Sequence, residues 1–318
     1  MGHSEADLDS LGACLAVYAI GKSLGVKTKI IYDDSKVERQ TKNAFKRMYK
    51  NDQIAEMTIS PAKAVIEYGT NSLLVVVDVN DPDRVMDTAI LKKTEKIIVI
   101  DHHRPGKKHF ESTMLSFIDA SASSTCELLA EMIRYGTRKV DVPSEIATLM
   151  LSGIMLDTNY YRKHTGPKTY DASYILKMFD ADNVIADEFF KDQYEEYLLR
   201  LKIKANYIVP HTGVIICMGE SKDYVDKATL AKVGDEMSAV AGVNLVFVLG
   251  ETSENEVSIS SRGDGTISCQ LLCEKLGGGG HHGAAAVALS NTNIEDAKNR
   301  LLDVLNNYLD YSRVRKED

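Results

Sequence analysis

The sequence predicts an α/β chain, with a doubly wound, mainly parallel-sheet domain joined by a helical linker to a smaller α/β domain. Three observations carry that prediction. Two short β-branched runs, Leu73–Val77 and Lys96–Ile100, are apolar continuously rather than alternately, as strands buried on both faces are, and they run into Asp78 and Asp101. Segments of helical period lie between and around them. With 318 residues, 44% hydrophobic and 26% charged, the chain is long enough for one large or two medium domains with ordinary cores.

In chain order, helices are expected at Ser10–Leu24, Ser35–Tyr49, Ser60–Tyr68, Pro82–Thr94 and Ser124–Tyr135. Ser124-Thr125-Cys126-Glu127 has capping-box spacing, and Gly136 stands where a helix-ending glycine would. Further helices follow at Ser144–Asp157 and from Thr169 to about Phe179, and Asn183–Asn206 reads as one long charged helix, suited to bridging domains. Beyond it the texture changes. Strands are expected at Thr212–Met218, Val243–Leu249 and Val257–Ser261, with helices at Asp226–Ala241, Thr266–Leu276 and Ile294–Leu309. These readings place a first domain at 1–183, a linker helix at 184–206 and a second domain at 207–318.

Charge and composition exclude several classes. The balance of 38 Lys+Arg against 46 Asp+Glu, net −8, argues against wrapping long nucleic acid, whose affinity comes from basic residues neutralising phosphates. It also offers no evident basic channel for single-stranded DNA. A small anionic ligand is still compatible. Five scattered cysteines with no C-x-x-C read as reduced, buried thiols of a cytosolic protein. No apolar run approaches the roughly 18–20 residues of a spanning helix, so no membrane contact by this chain is expected.

His3, Asp7 and Asp9 stand at i, i+4 and i+6, in a turn that runs into the helix beginning at Ser10. Taken alone this is ordinary, because polar residues crowd helix starts. It gains weight beside three further acidic segment ends: Asp78, Asp101-His102-His103, and Asp157, read as a strand end after Gly153-Ile154-Met155-Leu156. In an open parallel sheet such ends line one crevice. Carboxylates crowded there with imidazoles require cations, and two divalent ions would balance Asp7, Asp9, Asp78 and Asp157. The oxygen and imidazole donor set suits manganese better than calcium or magnesium, and a metal pair is the usual device for phosphoester hydrolysis.

A second unusual passage runs from Ser260-Ser261-Arg262-Gly263-Asp264-Gly265 to the glycines at 277–280, His281-His282 and Gly283-Ala284-Ala285-Ala286. It is read as an anion-binding surface, with a helix starting in the alanines and offering free N–H groups beside Arg262 and the histidines. Neither a Walker nor a G-x-G-x-x-G pattern is present, which speaks against an NTPase or a dehydrogenase.

Together, Asp101-His102-His103, the H-x-x-x-D-x-D at His3, Asp7 and Asp9, the isolated Asp78 and Asp157, and Gly277-Gly278-Gly279-Gly280-His281 resemble the DHH phosphoesterase family with its DHH-associated second domain. Asp101–Arg104, Ala122–Leu128, Asp157-Thr158 and His164–Ala172 are similar to the GdpP-type cyclic di-AMP phosphodiesterases within it. The resemblance implies a two-domain, manganese-dependent phosphodiesterase that hydrolyses cyclic di-AMP to linear pApA by metal-hydroxide attack on phosphorus. It implies His3, Asp7, Asp9, Asp78, His102 and Asp157 as ligands of two Mn²⁺ ions, with Asp9 and Asp78 between them. Asp101 would orient an imidazole and His103 would lie near the scissile phosphate. Arg104, Ser124, Arg262, Gly279, Gly280, His281 and His282 would hold the substrate.

Two departures from that branch, Asn80-Asp81-Pro82 after Asp78-Val79 and Arg104-Pro105 after the DHH triplet, lie beside the ligands and bear on substrate preference. The same family offers an oligoribonuclease and 3′-phosphoadenosine-5′-phosphate phosphatase as an alternative, and a catalytically silent nucleotide sensor is a second. The implied partner is a cyclic dinucleotide; self-association into a homodimer stays open. Such enzymes are normally the end of a longer, membrane-anchored chain. The expectation is therefore a cytoplasmic catalytic module, lacking the strand that should precede His3.

Overall fold

The computed structural model describes residues 1–106 and 108–317, with side chains to residue 309, and the chain divides into compact units at 1–191 and 192–318. In the first unit, α1 (Leu8–Ser23) opens on Asp7, whose Oδ1 accepts the Ser10 N–H at 3.0 Å. The helix is buried on almost every side from Leu8 to Ala19, as a helix surrounded by other elements must be. β1 (Ile30–Ile31), α2 (Arg39–Met48), α3 (Asn51–Met57) and β2 (Thr58–Ile59) follow, with β1 and β2 paired in parallel. α4 (Pro61–Glu67) carries its proline in the first turn, where the missing N–H costs nothing.

The two continuous apolar runs form β3 (Leu74–Val77) and β4 (Ile97–Asp101), which pair in parallel with each other and with β5 (Leu115–Ile118) in the order β3-β4-β5. Val77 and Ile100 face a core shared with α1, α5 (Thr125–Tyr135), α6 (Ser144–Asp157), α7 (Pro167–Met178) and α8 (Asn183–Glu188). Val76, Ile97 and Val99 face a second core built from Met1, Val37, Ala64, Val85 and Ile90. Layers on both faces explain why these strands are not amphipathic. Met1 lies along β3: its carbonyl accepts from the Val77 N–H at 3.0 Å and its nitrogen donates to the Val75 carbonyl at 2.8 Å.

The second unit holds α9 (Tyr194–Ala205), β6 (Tyr207–His211), β7 (Val214–Met218), α10 (Lys227–Ser238), β8 (Leu245–Ser253), β9 (Glu256–Gly263), α11 (Cys269–Lys275), β10 (Gly279–His281), β11 (Ala284–Ser290) and α12 (Ile294–Glu317). Its sheet runs β10-β11-β9-β8-β7-β6, antiparallel except for β7 with β8. Period-two alternation sends Phe247, Leu249 and Ile259 to a core with Leu272 and Leu301, and Val246 and Val248 to another with Ile203, Leu230 and Val233.

Four expectations need correction. Pro82–Thr94 is not a helix: it crosses the N-terminal loop, with the Ser4 N–H on the Arg84 carbonyl and the Met86 N–H on the Gly2 carbonyl, and only a 3₁₀ turn at Ile90–Lys92 remains. Burial of Val85 and Met86 against that loop outweighs the helical spacing. The single helix read over 183–206 is broken into α8 and α9. Asp157 closes α6 and is not a strand end. The alanines at 284–286 belong to β11, whose register with β9 places Ala285 opposite Ser261; strand pairing overrides alanine's helical preference.

Five thiols, Cys14, Cys126, Cys217, Cys269 and Cys273, are buried and unpaired. Among the described residues, no helix is long and apolar enough to cross a membrane.

Candidate metal centre

Three elements deliver carboxylates to one point in the first unit. Asp9, in the first turn of α1, is fully buried, and its carboxylate rests on the amino end of α5: Oδ2 accepts the Thr125 N–H at 2.7 Å and Oδ1 the Cys126 N–H at 2.9 Å. Those N–H groups belong to the first turn of a helix, where they have no partner within it, and the helix dipole favours the negative charge there. The approach is possible because α1 and α6 meet at glycines. A Cβ on Gly153 would come within 2.8 Å of Asp9 Cα, and one on Gly12 within 3.0 Å of the Leu149 carbonyl.

Asp78 follows β3 in the left-handed region, at φ 60°, a conformation in which aspartate is among the better tolerated residues. Its N–H is fixed by the Ile100 carbonyl, and its Oδ1 accepts the Thr125 hydroxyl at 3.0 Å. The turn aims the two carboxylate oxygens in different directions. Oδ2 lies 3.4 Å from His3 Nε2, and Oδ1 lies 3.5 Å from His102 Nε2 and 3.7 Å from His103 Nδ1. His3 Nε2 is also 3.7 Å from Asp7 Oδ1, while His102 Nε2 is 3.2 Å from Asp157 Oδ2 and 4.0 Å from Asp9 Oδ2.

These atoms form three groups able to hold a metal ion: His3, Asp7 and Asp78; Asp9, His102 and Asp157; and Asp78, His102 and His103. Asp78 and His102 are each shared by two groups, whereas Asp9 belongs to one. The donor set fits a divalent cation on a further observation: His102 Nε2 is buried with no hydrogen-bond partner, although carboxylates surround it. His3 Nδ1 is 2.7 Å from the Ser4 carbonyl, which can only accept; this makes Nδ1 the donor and turns Nε2 to the carboxylates.

The crowded carboxylates and imidazoles shift one another's pKa values. Burial would lower the His3 pKa, but Asp7 and Asp78 outweigh it and push it up to about 11; for His102, burial is outweighed by Asp157, Asp9 and Asp78, to about 10. Burial and the Asp9 charge raise Asp157 to about 6 and hold Asp78 well above the usual carboxylate range. Burial would raise Asp7 as well, yet His3 brings it below its ordinary value.

Asp101 lies in none of the three groups. Fully buried at the end of β4, it accepts from the His102 N–H, the His103 N–H and His103 Nδ1 at 2.8, 3.1 and 2.9 Å, so the imidazole it orients is that of His103. Burial would raise its pKa, and His103 lowers it. Asn80, which the sequence showed only as a departure, completes the arrangement: its amide donates to Asp101 Oδ2 and to the His103 carbonyl at 3.0 Å. Thr125 was likewise unassigned, and only the tertiary contact of α5 with β3 and α1 reveals it.

The remaining candidates divide. Arg104 is exposed beyond His103. Ser124 is fully buried, its Oγ accepting the Glu127 N–H at 3.0 Å, a capping position rather than a ligand-facing one. The box is only half formed, because the Glu127 carboxylate turns to Ser123 and Thr169. In the second unit Arg262, Gly279 and Gly280 line a cavity of about 500 Å³ with Ser258, Ser260 and Lys227. Arg262 Nε donates to Asp235 at 2.7 Å and Nη1 to the Ser261 carbonyl at 3.0 Å. His281 is exposed on β10, and His282 Nε2 lies 2.9 Å from the Gly265 carbonyl. The backbone beside them is an edge strand, so the helix N-terminus expected at the alanines is absent.

Comparison with known proteins agrees with this architecture. Residues 1–154 match the DHH family, N-terminal domain, and residues 209–310 match the DHHA1 domain. The chain is 30% identical over 310 residues to the cyclic-di-AMP phosphodiesterase GdpP of Geobacillus thermodenitrificans, covering 98% of this chain and 47% of that one. It is 23% identical over 306 residues to the bifunctional oligoribonuclease and PAP phosphatase NrnA of Thermus thermophilus, covering 95% of this chain and 87% of that one. The chain thus spans about half the length of the GdpP relative. In fold it is similar to an exopolyphosphatase-related protein from Bacteroides fragilis, with a TM-score of 0.74 at 19% identity, covering 96% of this chain and 91% of that one. With the Asp and His motifs, the doubly wound first unit and the sheet of the second all in place, the chain belongs to the DHH family and carries a DHHA1 domain after its DHH domain.

Proposed function

We propose that the chain is a manganese-dependent phosphodiesterase that opens cyclic di-AMP to linear pApA. The observation that carries this is the grouping of His3, Asp7, Asp9, Asp78, His102 and Asp157 around shared Asp78 and His102, together with similarity to cyclic-di-AMP phosphodiesterases along 98% of the chain. Two ions would be held, one by His3, Asp7 and Asp78 and one by Asp9, His102 and Asp157. When bound, such ions neutralise the phosphoryl oxygens and supply a hydroxide nucleophile near neutral pH.

The chain's own groups do the rest. Asp101 and Asn80 lock the His103 ring, whose half-exposed edge then presents Nε2 toward an arriving phosphate, where it stabilises developing charge or hands a proton to the departing 3′-oxygen. The α5 amino end holds Asp9 still, so the centre is preorganised before substrate arrives. The second unit, taken by itself, has a cavity in which Arg262 and the Gly279-Gly280 backbone would offer cation and N–H donors to an anionic ligand. The similarity to GdpP-type chains also supports membrane anchoring of a longer parent and a cytoplasmic position for this module.

The test is a panel of cyclic di-AMP, cyclic di-GMP, pApA, 3′-phosphoadenosine-5′-phosphate and a short RNA with Mn²⁺, with products identified. Conversion of cyclic di-AMP to pApA is expected. Rapid loss of pApA, the short RNA or the phosphoadenosine with the cyclic substrate intact would move the chain to the oligoribonuclease and phosphatase side. Tight nucleotide binding without turnover would make it a sensor.

A further inference from the structure

We propose that Arg162 and Lys163 form a cationic clamp for the second phosphate of a dinucleotide, the one not being cleaved; this rests on the reading of the centre given above. The turn that carries them begins immediately after Asp157. Asn159, Tyr160 and Tyr161 are consecutive residues at φ 46°, 56° and 61°, and His164 follows at 53°. Left-handed non-glycine residues ordinarily occur singly. A helix C-cap accounts for Asn159, with the Tyr160 N–H returning to the Met155 carbonyl at 2.8 Å, but it does not account for the two tyrosines.

The surroundings hold this backbone in place. The Thr158 hydroxyl is buried and accepts the Tyr161 N–H at 2.9 Å, and the Thr158 carbonyl takes the N–H groups of Arg162 and Lys163 at 2.9 and 3.0 Å. Tyr160 lies against Phe190, and Tyr161 stacks on Tyr170 while its hydroxyl meets Ser173 at 2.8 Å. Both tyrosines are thus anchors, and the chain between them and His164 is folded back at the end of α6 instead of leaving it. Strain retained by such over-determination marks a segment whose displayed side chains matter.

The displayed side chains are Arg162, Lys163 and His164, all exposed; among the described residues, neither Arg162 nor Lys163 meets a carboxylate. Lys168, a few residues on, does, pairing with Glu131. Guanidinium and ammonium groups without a carboxylate partner, carried on the turn that directly follows Asp157, are what a substrate with two phosphodiesters requires: the metal groups would serve the scissile phosphate, and the remaining anion needs its own cations.

The experiment compares wild type, Arg162→Ala, Lys163→Ala and the double variant of the 318-residue chain with Mn²⁺, on cyclic di-AMP and on bis(p-nitrophenyl) phosphate, which has no second phosphate. A KM for the dinucleotide raised about tenfold or more in the double variant is expected, with kcat within about twofold, a weaker salt dependence, and turnover of the small diester unchanged. An unchanged dinucleotide KM overturns the clamp while leaving the centre intact. Equal loss on both substrates overturns it too, since the turn would then merely support Asp157. No turnover of either substrate by wild type removes the reading of the centre and the clamp with it.

Discussion

The Asp9 carboxylate caps the amino end of a helix that begins 116 residues later: its Oδ2 takes the Thr125 N–H at 2.7 Å. One contact therefore serves the fold and the centre together, and substitution there separates the two.

Asp9→Ala is expected to lower turnover by at least about a thousandfold, because one member of the proposed metal group facing His102 is lost. The Thr125 and Cys126 N–H groups would be left buried without an acceptor, costing about 1–3 kcal/mol. Single-turnover kinetics and a thermal melt check both. Turnover at the wild-type rate would show the metals to be elsewhere.

Gly153→Ala should be destabilising by about 1–3 kcal/mol and should weaken metal binding, although residue 153 touches no ligand through a side chain of its own. The new Cβ would lie 2.8 Å from Asp9 Cα, 2.9 Å from Asp9 Oδ1 and 3.0 Å from Cys126 Sγ, pushing α1 off α6. Gly69→Ala, with nothing within 4 Å, is the control. Equal denaturation midpoints for the two variants would contradict the close approach.

Asn80→Ala removes the amide that joins Asp101 to the His103 carbonyl. The expected result is a stability loss of about 1–3 kcal/mol and a fall in kcat, with Mn²⁺ affinity near wild type because no member of the three metal groups is changed. Asn80→Asp should be worse, since it places a second carboxylate against buried Asp101. Calorimetric metal titration beside kcat measurement distinguishes this outcome from a general collapse of the centre, in which both would fall.

Metal binding should release protons. In the metal-free chain the His3 and His102 pKa values, pushed up to about 11 and about 10, keep both imidazoles protonated at pH 7–8, so a cation at Nε2 must displace a proton. Apparent Mn²⁺ affinity therefore rises with pH. The sign for metal-free stability is opposite: the raised imidazoles contribute in full below about pH 6.5, and that contribution is lost as pH climbs through 10 to 11. Asp157, raised to about 6, acts the same way over a lower range. Titrations in two buffers of different ionisation enthalpy should give different apparent heats; identical heats would mean that the imidazoles were already neutral.

Part of this architecture is legible in the sequence. Leu73–Val77 and Lys96–Ile100 announced buried parallel strands, because side chains needed on both faces leave no polar alternation. His3, Asp7, Asp9, Asp78, His102 and Asp157 were implied as ligands by the family resemblance, and the structure gathers them into groups able to hold a metal ion. The segment at 82–94 and the alanines at 284–286 misled, since each has a local preference that a long-range partner reverses: the N-terminal loop in the first case, β9 in the second.

The sequence by itself determined the α/β class and the supply of carboxylates and imidazoles, because buried strands and the residue types able to bind a cation are properties of residue type and spacing. Only the tertiary structure decided that Asp9 rests on α5, that Asp78 faces His3 with one oxygen and His102 and His103 with the other, and that Asn80 and Thr125 belong to the same construction. Those are contacts between segments tens to more than a hundred residues apart, fixed by helix ends and close-packed glycines, and no local pattern in the chain encodes a distance across the core.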